Sequence, residues 1–544
     1  MKRFSILYND NNLNDSEYQD NQKFNDDGYN FQNVLDDLNL REISKFTSLT
    51  QKDINYVLNI MIDFKSTKDD IKVRYGVMRD FLRIPGFFEI FERQMNYFEA
   101  IREKLFAAKR NMMRTTGDVS GETSFLNYNK ITQACFFLSL TYKTIFNLYR
   151  EFKRLDLKSP HLIKFNDFLV DLIENTQLRQ LNEECAIFGD HVNEGVVFDI
   201  DMKLNSILRI ISLRLYDFRY VKPVQTGLFY SVMRRLSIEE KKDKNKEIYI
   251  EKTFTQESRI SSIDDAYLKS SLEYQINLCA RRLSSIYDTL IDLFLNISGE
   301  LVFYKYALNM IAYMRQTGIP YCFAKLSGES DDSDNSENQE NSQNSKDFME
   351  FKDLCDITLS TSLKNAESSV VRNDCNLKEN DGINIIIGAN QSGKTTFLRS
   401  FGSALMFARA GLPVPAVSAK ISLFKNLYTH FQRYDDELKN EGQLDTELTE
   451  MEKIVYSADG ESIILMNESF SSTGIKDATQ IACDVLGAFA YVGAKVIYVT
   501  HIPDVRDKLA VSGNLDGAKD INVNLYKTGQ NSDGSPTFKL EKMP

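Results

Sequence analysis

The sequence predicts a multidomain fold in which a mostly α-helical front part is followed by an α/β domain with a phosphate-binding loop. The 544 residues exceed the length of one ordinary domain. Only four of the nine prolines fall in the first 350 residues, which are rich in Leu, Ile, Phe, Lys and Glu at helical spacing. After that point short apolar runs alternate with helical segments, which favours a mostly parallel sheet covered by helices.

Changes of composition divide the chain into four parts. They are an N-terminal helical or irregular segment at 1–65, a helical core and lever domain at 66–326, an acidic linker at 327–348 and the α/β domain at 349–544. The linker contains SGESDDSDNSENQENSQNSKD, which has no apolar side chain to bury, so we expect disorder. A solvated insertion and a regulatory segment both fit this composition. Within the second part, the charged stretch near 228–268 predicts a connection or a small hairpin.

One long helix is predicted near 269–298, where apolar residues recur at alternating steps of four and three. Its length would be on the order of 40 Å. A helix of a large bundle and a lever that carries motion between distant sites both produce such a stripe. The stripe consists of Leu272, Ile276, Cys279, Leu283, Ile286, Leu290, Leu293 and Ile297.

The composition argues against several classes of protein. No apolar run reaches the roughly 18 to 20 residues of a membrane span, and the start turns polar too early for a signal peptide. We therefore expect a cytoplasmic protein without a membrane partner. The seven cysteines form no CxxC pair and only four histidines occur, which argues against a disulfide framework and a transition-metal site. The net charge of -11 argues against a generally basic surface for nucleic acid, although a local patch is enough to bind phosphate.

The strongest local signal is INIIIGANQSGKTTFLRS, which follows a predicted strand and opens a predicted helix. In such a loop, backbone N–H groups surround the phosphates, the lysine neutralises phosphate oxygens and the threonine hydroxyl ligates Mg²⁺. The motif therefore predicts a site for a nucleotide and Mg²⁺. The residues that satisfy the pattern G-x-x-x-x-G-K-[ST] are Gly388, Gly393, Lys394 and Thr395.

A second signal is IILMNESFSST, in which a predicted strand delivers Asn467 and Glu468 to the same sheet edge as the phosphate loop. Glu468 is the candidate for orienting and activating the attacking water, and an acid that only caps the next turn is the alternative. Asn467 stands where such sites usually carry Asp. Its amide oxygen can still accept a hydrogen bond from the water shell of Mg²⁺, but a formal charge beside the cation is lost. We expect slow rather than absent hydrolysis.

A third signal is VIYVTHIPD, where His501 follows the end of a predicted strand. A lone histidine is usually structural, and this remains the alternative. Its place behind two nucleotide motifs favours a side chain that reaches the γ-phosphate. His501 therefore joins Glu468 as a candidate catalytic residue.

Together these motifs resemble the ATPase domain of the MutS family of DNA mismatch-repair proteins. The resemblance runs from VRND at 371–374 through GANQSGKTTFLR, AGLPVPA at 410–416 and LMNES to TH at 500–501. It implies an α/β P-loop domain of the ABC type, ATP and Mg²⁺ as cofactors, and a nucleotide site that also includes Asn390 and Thr396. Upstream, GVVFDIDMKLNSILRIISLRL resembles the segment where the family's helical core meets its lever helices.

The resemblance also implies a homodimer that closes around nucleotide, because in this family each nucleotide is covered by a helix start of the other subunit. By position, GQLDTELTEMEKI supplies that helix, with Asp445 and Thr446 at the place of the family's serine-threonine pair. A helix N-terminus favours an incoming phosphate, so Thr446 is the candidate contact in trans. Asp445 departs from the pattern, since it would bring a negative charge towards the γ-phosphate.

The chain also departs from the family in the regions that read mismatched DNA. Phe87-Phe88-Glu89 has the letters of the family's Phe-x-Glu wedge, but it lies in the amphipathic stretch RIPGFFEIFERQ, so we expect core packing. We expect no separate mismatch-recognition domain before the helical part. We also expect no dimerisation extension or nuclease domain after the hairpin predicted at INVNLYKT and PTFKLEKM. Reading of simple mismatches is therefore disfavoured.

Three functions remain open. The first is an ATPase that dimerises around nucleotide and uses helical levers to bind DNA, in a branched or recombining form. The second, favoured by the acidic charge, is an ATP-switched scaffold for a protein partner. The third, suggested by Asn467, is a nucleotide-binding protein with little turnover. The candidate DNA-phosphate contacts, for which a solvated helix face is the alternative, are Arg93, Arg102, Lys109 and Arg110.

Overall fold

The computed structural model describes most of the chain. The described residues are 4–9, 29–115, 123–190, 195–204, 210–221, 262–327, 347–362, 370–378, 380–432, 443–502, 505, 508 and 522–543. They belong to two compact units. The first unit contains Met1–Pro85, Leu157–Ile163 and Ile297–Pro544, and the second contains Gly86–Asp156 and Lys164–Asn296. The acidic linker predicted at 327–348 lies outside the described residues, apart from its two ends.

Helices occur along the whole described chain, and strands occur mainly in its C-terminal part. The helices are α1 (Gln32–Asp37), α2 (Leu40–Lys45), α3 (Gln51–Ile62), α4 (Lys68–Arg83), α5 (Phe87–Thr115), α6 (Thr123–Phe152), α7 (Pro160–Glu174), α8 (Thr176–Asp190), α9 (Ser262–Thr317), α10 (Ile357–Ser362), α11 (Lys394–Ala410), α12 (Gln443–Ser457) and α13 (Ile475–Val492). The strands are β1 (Gly195–Leu204), β2 (Ile210–Val221), β3 (Lys325–Leu326), β4 (Asp347–Leu354), β5 (Asn373–Lys378), β6 (Asp381–Ile387), β7 (Ser418–Ile421), β8 (Asn426–Phe431), β9 (Ser462–Asn467), β10 (Lys495–Thr500), β11 (Asn522–Gln530) and β12 (Pro536–Lys542). Within the described ranges, no helix combines the length and the apolar character that a membrane span requires.

The second unit consists of α5, α6, α8, parts of α7 and α9, and the strands β1 and β2. Buried side chains from four of its helices form one cluster, which includes Leu105, Leu138, Cys185 and Ile291. In the same unit Phe98 stacks on Phe294 with ring centroids 4.3 Å apart. Burial of these apolar faces is what holds the helices of this unit together.

The front part of the chain is not helical throughout, since β1 and β2 occupy much of the segment that resembles the junction of core and lever helices. Strands β1 and β2 pair antiparallel, with Gly195 opposite Val221 and Phe198 opposite Phe218. The local sequence explains the difference. Apolar and polar residues alternate in FDIDMKL, and a period of two is the pattern of a strand.

The predicted heptad segment lies inside α9, a helix of 56 residues. The C-terminal half of the predicted stripe is buried at Leu290, Leu293 and Ile297. Further towards the N-terminus, Cys279 is exposed and Ile286 is 37% exposed, whereas Tyr287 is buried. A straight α-helix drifts relative to a seven-residue repeat, so the adjacent position takes over the core-facing side. Of the connection predicted near 228–268, residues 228–261 lie outside the described part, and the remainder begins α9.

The Phe-x-Glu letters at the start of α5 belong to the core of the second unit. Phe87 and Phe88 are both buried, and the Phe87 ring lies 5.4 Å from that of Phe152. The interpretation of this segment as core packing is therefore confirmed.

The basic face predicted on α5 is partly neutralised. Arg102 lies 2.6 Å from Asp292, so its charge is already paired. Arg93 and Arg110 are exposed, and the side chain of Lys109 lies outside the described part of the helix.

The first unit contains a six-stranded sheet in the described part, with strand order β12-β11-β6-β10-β9-β8. Neighbouring strands from β11 to β8 are parallel, and β12 is antiparallel to β11. The apolar runs within β6, β9 and β10 are among those that the sequence predicts to be strands. A smaller sheet has the order β3-β7-β4-β5. Since β6, β10 and β9 are parallel neighbours, the residues that follow them meet at one edge of the sheet.

Helices of the first 85 residues pack on the same sheet. The Tyr29 hydroxyl donates to the Thr429 carbonyl oxygen over 3.0 Å, and Thr429 Oγ1 donates to Asp37 Oδ2 over 2.6 Å. Arg399 on α11 donates to the Asp37 carbonyl oxygen over 3.0 Å. The boundaries predicted at 65 and 349 therefore do not separate compact units.

A second connection runs through Arg74, which is fully buried on α4. Its guanidinium donates to the carbonyl oxygens of Ala410 over 2.8 Å and Leu7 over 3.2 Å. A buried cation is costly unless it is hydrogen-bonded, so these partners fix its position. Arg74 thereby attaches α4 to the C-terminal end of α11.

Gly402 allows α11 to approach its neighbours closely. A Cβ at this position would lie 2.6 Å from Leu38 Cδ2 and 2.7 Å from Leu465 Cδ1. Both leucines are fully buried, so neither side chain has space to move aside. Helix α11 is therefore held between the N-terminal helices and β9.

We predict that Gly402→Ala lowers the midpoint of thermal unfolding, measured by scanning calorimetry. Overpacking costs about 1–3 kcal/mol and outweighs the gain in helix propensity of up to about 1 kcal/mol. Gly299→Ala in α9 is the matched control, because no atom lies within 4 Å of the added Cβ. Equal midpoints for the two variants would contradict the close packing at Gly402.

Candidate functional site

The phosphate loop connects the buried strand β6 to helix α11. Gly393 caps the helix with φ of +90°, a left-handed conformation that other residues rarely adopt. Gln391 also has a left-handed φ, of +61°. The loop therefore turns sharply and leads into a helix N-terminus, where unpaired N–H groups and the helix dipole favour an anion.

Gly388 is required by the close approach of β11. A Cβ there would lie 2.2 Å from Thr528 Oγ1 and 3.1 Å from Ser392 Oγ. The Ser392 hydroxyl is buried and has no hydrogen-bond partner within the described part of the chain. The loop therefore contains a polar group that a phosphate oxygen would satisfy.

Lys394 is buried against the carbonyl groups of its own loop. Its Nζ donates to the carbonyl oxygens of Gly388 over 2.8 Å and Ala389 over 2.9 Å, and lies 3.9 Å from Glu468 Oε1. Burial lowers the pKa of Lys394, whereas the Glu468 carboxylate acts in the opposite direction. A phosphate oxygen would offer this amine a charged partner in place of neutral carbonyl groups.

Thr395 and Asn467 meet at the edge of the sheet. Thr395 Oγ1, in the first turn of α11, donates to Oδ1 of Asn467, the last residue of β9, over 2.8 Å. Hydroxyl and amide oxygens are hard ligands of the kind that Mg²⁺ takes directly or through its water shell. This pair therefore fits the ion that the phosphate-loop motif implies.

Glu468 and His501 follow the adjacent strands β9 and β10. Glu468 Oε2 lies 2.6 Å from His501 Nδ1 and also accepts the His501 backbone N–H over 3.2 Å. Because an ionised carboxylate only accepts, Nδ1 carries the proton of this contact. His501 thereby holds the carboxylate whose other oxygen faces Lys394.

The backbone that presents Glu468 is strained. Glu468 has φ of +51° and Phe470 has φ of +67°, although neither is glycine. The Glu468 N–H donates to the Val499 carbonyl oxygen over 2.9 Å, which attaches the turn to β10. The carboxylate is therefore carried by a sharp turn directly after the strand.

The remaining predicted site residues lie in the phosphate loop, at the start of α11 and at the start of α12. Asn390 is exposed in the loop, and Thr396 lies in the first turn of α11. Asp445 and Thr446 are exposed in the first turn of α12, which begins at Gln443. The side chains that meet at the sheet edge are those of Lys394, Thr395, Asn467, Glu468 and His501.

Comparison with known proteins identifies the domain that carries this edge. A family model described as MutS domain V matches residues 384–531. The match contains the phosphate loop, Asn467, Glu468 and His501. The chain therefore contains a domain of the MutS family.

The relatives that match this domain are named for DNA mismatch repair. DNA mismatch repair protein MutS of Chlorobium chlorochromatii is 28% identical over 169 residues, and that of Lactococcus lactis subsp. cremoris (strain SK11) is 30% identical over 169 residues. Each alignment covers 31% of this chain and 19% of the relative. DNA mismatch repair protein MSH3 of Kluyveromyces lactis is 29% identical over 201 residues, which are 34% of this chain and 20% of the relative. The chain therefore matches about a fifth of the length of these relatives.

Two buried polar residues beside the site were not indicated by the sequence. His430 on β8 is 3% exposed and Glu447 on α12 is 8% exposed, and both contact the turn that follows Glu468. The available signals were a histidine in the apolar run NLYTHF and an acid near the start of α12. Neither pattern differs from that of many ordinary strands and helices.

We predict that Asn467→Asp tightens the dependence of nucleotide binding on Mg²⁺. Thr395 Oγ1 can donate to a carboxylate in the same place, and the added charge attracts the cation. The Mg²⁺ concentration for half-maximal binding of a fluorescent ATP analogue should fall about tenfold, the equivalent of about 1.4 kcal/mol, and turnover should not fall.

Asn426→Asp is the control for this substitution. It adds the same charge at the opposite end of the sheet, because Asn426 pairs with the first residue of β9. Its Mg²⁺ midpoint should stay at the wild-type value. An unchanged midpoint in Asn467→Asp would show that this position does not contribute to binding of the ion.

Proposed function

We propose that this MutS-family protein binds ATP with Mg²⁺ and hydrolyses it slowly to ADP and phosphate. The observation that carries the proposal is the position of the Glu468 carboxylate, 2.6 Å from His501 Nδ1 and 3.9 Å from Lys394 Nζ. Hydrolysis of ATP needs a group that orients water beside the γ-phosphate. Glu468 offers such a group next to a phosphate loop.

The phosphate loop and the start of α11 bind the nucleotide in this proposal. Lys394 exchanges its carbonyl partners for phosphate oxygens, and the loop amides and Ser392 hydroxyl supply further hydrogen bonds. Asn390 and Thr396 add contacts at the rim. Thr395 and Asn467 provide the oxygen ligands for Mg²⁺, which when bound neutralises charge on the β- and γ-phosphates.

Glu468 and His501 have different roles in the proposed hydrolysis. Glu468 accepts a hydrogen bond from the attacking water and orients it in line with the bond to be broken. His501 holds the carboxylate through its ring and backbone N–H groups before ATP binds. Its ring is 48% exposed, which leaves it free to turn towards the γ-phosphate.

We further propose a homodimer in which α12 of one subunit covers the nucleotide of the other. Support comes from the exposure of Thr446 in the first turn of α12. Such a helix start favours a γ-phosphate. Asp445 beside it lowers that preference, which agrees with slow turnover.

DNA is the proposed ligand of the helical part of the chain. The names of the relatives support DNA, and the helical levers expected of the family would carry the effect of ATP to it. We infer branched or recombining DNA rather than simple mismatches, because the Phe87-Phe88 pair is buried in the core instead of exposed as a wedge. Arg93 and Arg110 are the exposed basic residues available on α5.

A protein partner is the second candidate for the helical part. The net charge of -11 favours it, as does the pairing of Arg102 with Asp292, which removes one of the proposed DNA contacts. In that case ATP would switch a scaffold rather than a DNA clamp.

We predict that Glu468→Gln lowers steady-state phosphate release by at least about 100-fold and retains ATP binding. Removal of a water-orienting acid costs about 10²- to 10⁴-fold, whereas the phosphate loop is unchanged. Glu461→Gln, an exposed acid directly before β9, is the matched control and should keep the wild-type rate. Wild-type phosphate release in Glu468→Gln would contradict the proposal. A wild-type protein no faster than this variant in single turnover would favour nucleotide binding with little turnover.

We predict that branched DNA binds more tightly than perfect or mismatched duplex and stimulates the ATPase. Filter binding at low salt and phosphate release would be measured with duplex, mismatched, forked and four-way DNA, with and without ATP, because phosphate contacts weaken steeply with salt. No affinity for any of these structures would exclude DNA as the ligand. A protein that stays bound after nuclease treatment would support the scaffold instead.

A further inference from the structure

The turn that carries Glu468 is held in its conformation by groups outside it. Glu468 and Phe470 both have left-handed backbone conformations, on either side of Ser469. Such a conformation in non-glycine residues persists only where the surroundings determine it. The hydrogen bonds that fix this turn therefore also fix the Glu468 carboxylate.

Glu447 on α12 supplies the most direct of these bonds. Its Oε2 accepts the backbone N–H of Phe470 over 2.9 Å. Its Oε1 is buried with no hydrogen-bond partner among the residues that the structure describes. Burial raises the pKa of Glu447, and hydrogen bonds from the Phe470 N–H and the Ser472 side chain partly offset this. Glu447 is therefore a buried acceptor for the backbone of the turn.

His430 on β8 forms a second link between α12 and the turn. Its Nε2 lies 3.3 Å from the Glu447 carbonyl oxygen, and its Nδ1 lies 2.8 Å from Ser469 Oγ. Because a carbonyl only accepts, Nε2 carries the proton of its contact with Glu447. The Ser469 hydroxyl also donates to the His430 carbonyl oxygen over 3.1 Å, so ring and backbone of His430 both bond to the turn. The imidazole also packs on the Phe470 ring, with centroids 5.6 Å apart. His430 therefore connects the backbone of α12 to the turn.

On its other side the turn is attached to a central strand. The Glu468 N–H donates to Val499 and the Tyr498 hydroxyl donates to the Ser469 carbonyl oxygen over 3.3 Å. Both partners belong to β10, which has a neighbouring strand on each side. β8, by contrast, ends the described sheet. A displacement of α12 therefore acts on the turn through Glu447 and His430, while β10 stays in place.

We propose that Glu447 and His430 are positioning residues that couple α12 to Glu468 of the same subunit. The inference rests on the proposed function, in which the start of α12 contacts the nucleotide bound by the other subunit. Thr446 directly precedes Glu447, so a nucleotide that fixes Thr446 also fixes the carboxylate that holds Phe470. Nucleotide bound by one subunit thereby sets, in the other subunit, the geometry of the turn that carries Glu468.

Mixed dimers of the full chain test this coupling. One subunit, the reporter, keeps Glu468. The second subunit carries either Glu468→Gln, which binds ATP without hydrolysing it, or Lys394→Met, which prevents binding. Phosphate release then comes from the reporter alone. The rate with the Glu468→Gln partner divided by the rate with the Lys394→Met partner measures how nucleotide at the second site affects the reporter. We expect a ratio of about 10, within the range usual for coupled sites.

Glu447→Gln in the reporter should reduce this ratio to about 1. The substitution keeps the size of the side chain and replaces a charged acceptor by a neutral amide, which weakens the bond to Phe470. The KM for ATP should stay within about threefold, because Glu447 does not contact the phosphate loop in the described structure. Glu452→Gln, an exposed acid on the same helix, is the matched control and should keep the ratio.

Ser469→Ala in the reporter provides an independent variant if Glu447→Gln does not fold. It removes the hydroxyl that bonds to His430 and leaves Glu447 unchanged, so the ratio should fall about threefold. A wild-type ratio of 1, or a ratio that Glu447→Gln and Ser469→Ala leave unchanged, would overturn the coupling. A wild-type protein without ATPase activity would instead overturn the proposed function, so the two failures can be distinguished.

Discussion

Parallel pairing of three buried strands is the constraint on which the site depends. Strand β10 lies between β6 and β9, with Thr500 opposite Ile387 and Val499 opposite Asn467. This register brings the phosphate loop, the catalytic turn and His501 to one edge, although more than 70 residues of sequence separate the loop from the turn. A slip of one residue would send alternate side chains to the opposite face of the sheet. The apolar side chains that bury β6, β9 and β10 therefore determine the geometry of the polar groups that follow them.

Asn467 bears on the electrostatics of this edge as well as on the proposed Mg²⁺ site. With an amide at the end of β9, Glu468 is the acid that faces Lys394, at 3.9 Å. Lys394 also donates to two loop carbonyl groups, so its charge is shared among weak partners. An incoming phosphate would therefore displace neutral acceptors rather than a strongly bonded carboxylate. In the proposed function, the residue that would weaken the metal site also leaves the lysine available to phosphate.

The parts of this structure that sequence could predict are those whose cause is local. The phosphate loop, its flanking strand and helix, and the positions of Asn467, Glu468 and His501 follow from contiguous motifs. The strand β1 also has a local cause, the alternation of apolar and polar residues in FDIDMKL. Glu447 and His430 could not be found in this way, because their importance arises from contacts with residues more than 20 positions away. The left-handed φ of Glu468 likewise depends on those contacts rather than on the residue itself.

The packing of the first unit also restricts which element can respond to nucleotide. Helix α11 is fixed near its middle, where Gly402 lies between Leu38 and Leu465. It is also bonded through Arg399 to Asp37, and at its C-terminal end to Arg74. A helix held at three places by buried groups moves only together with α1 and α4. Helix α12 is tied to the edge strand β8, where the Tyr428 hydroxyl donates to the Ser457 carbonyl oxygen over 3.2 Å, and its bonds to the site run through Glu447 and His430. The change that ATP produces should therefore begin at α12 and the turn it supports, while α11 and the phosphate loop act as the stationary part of the site.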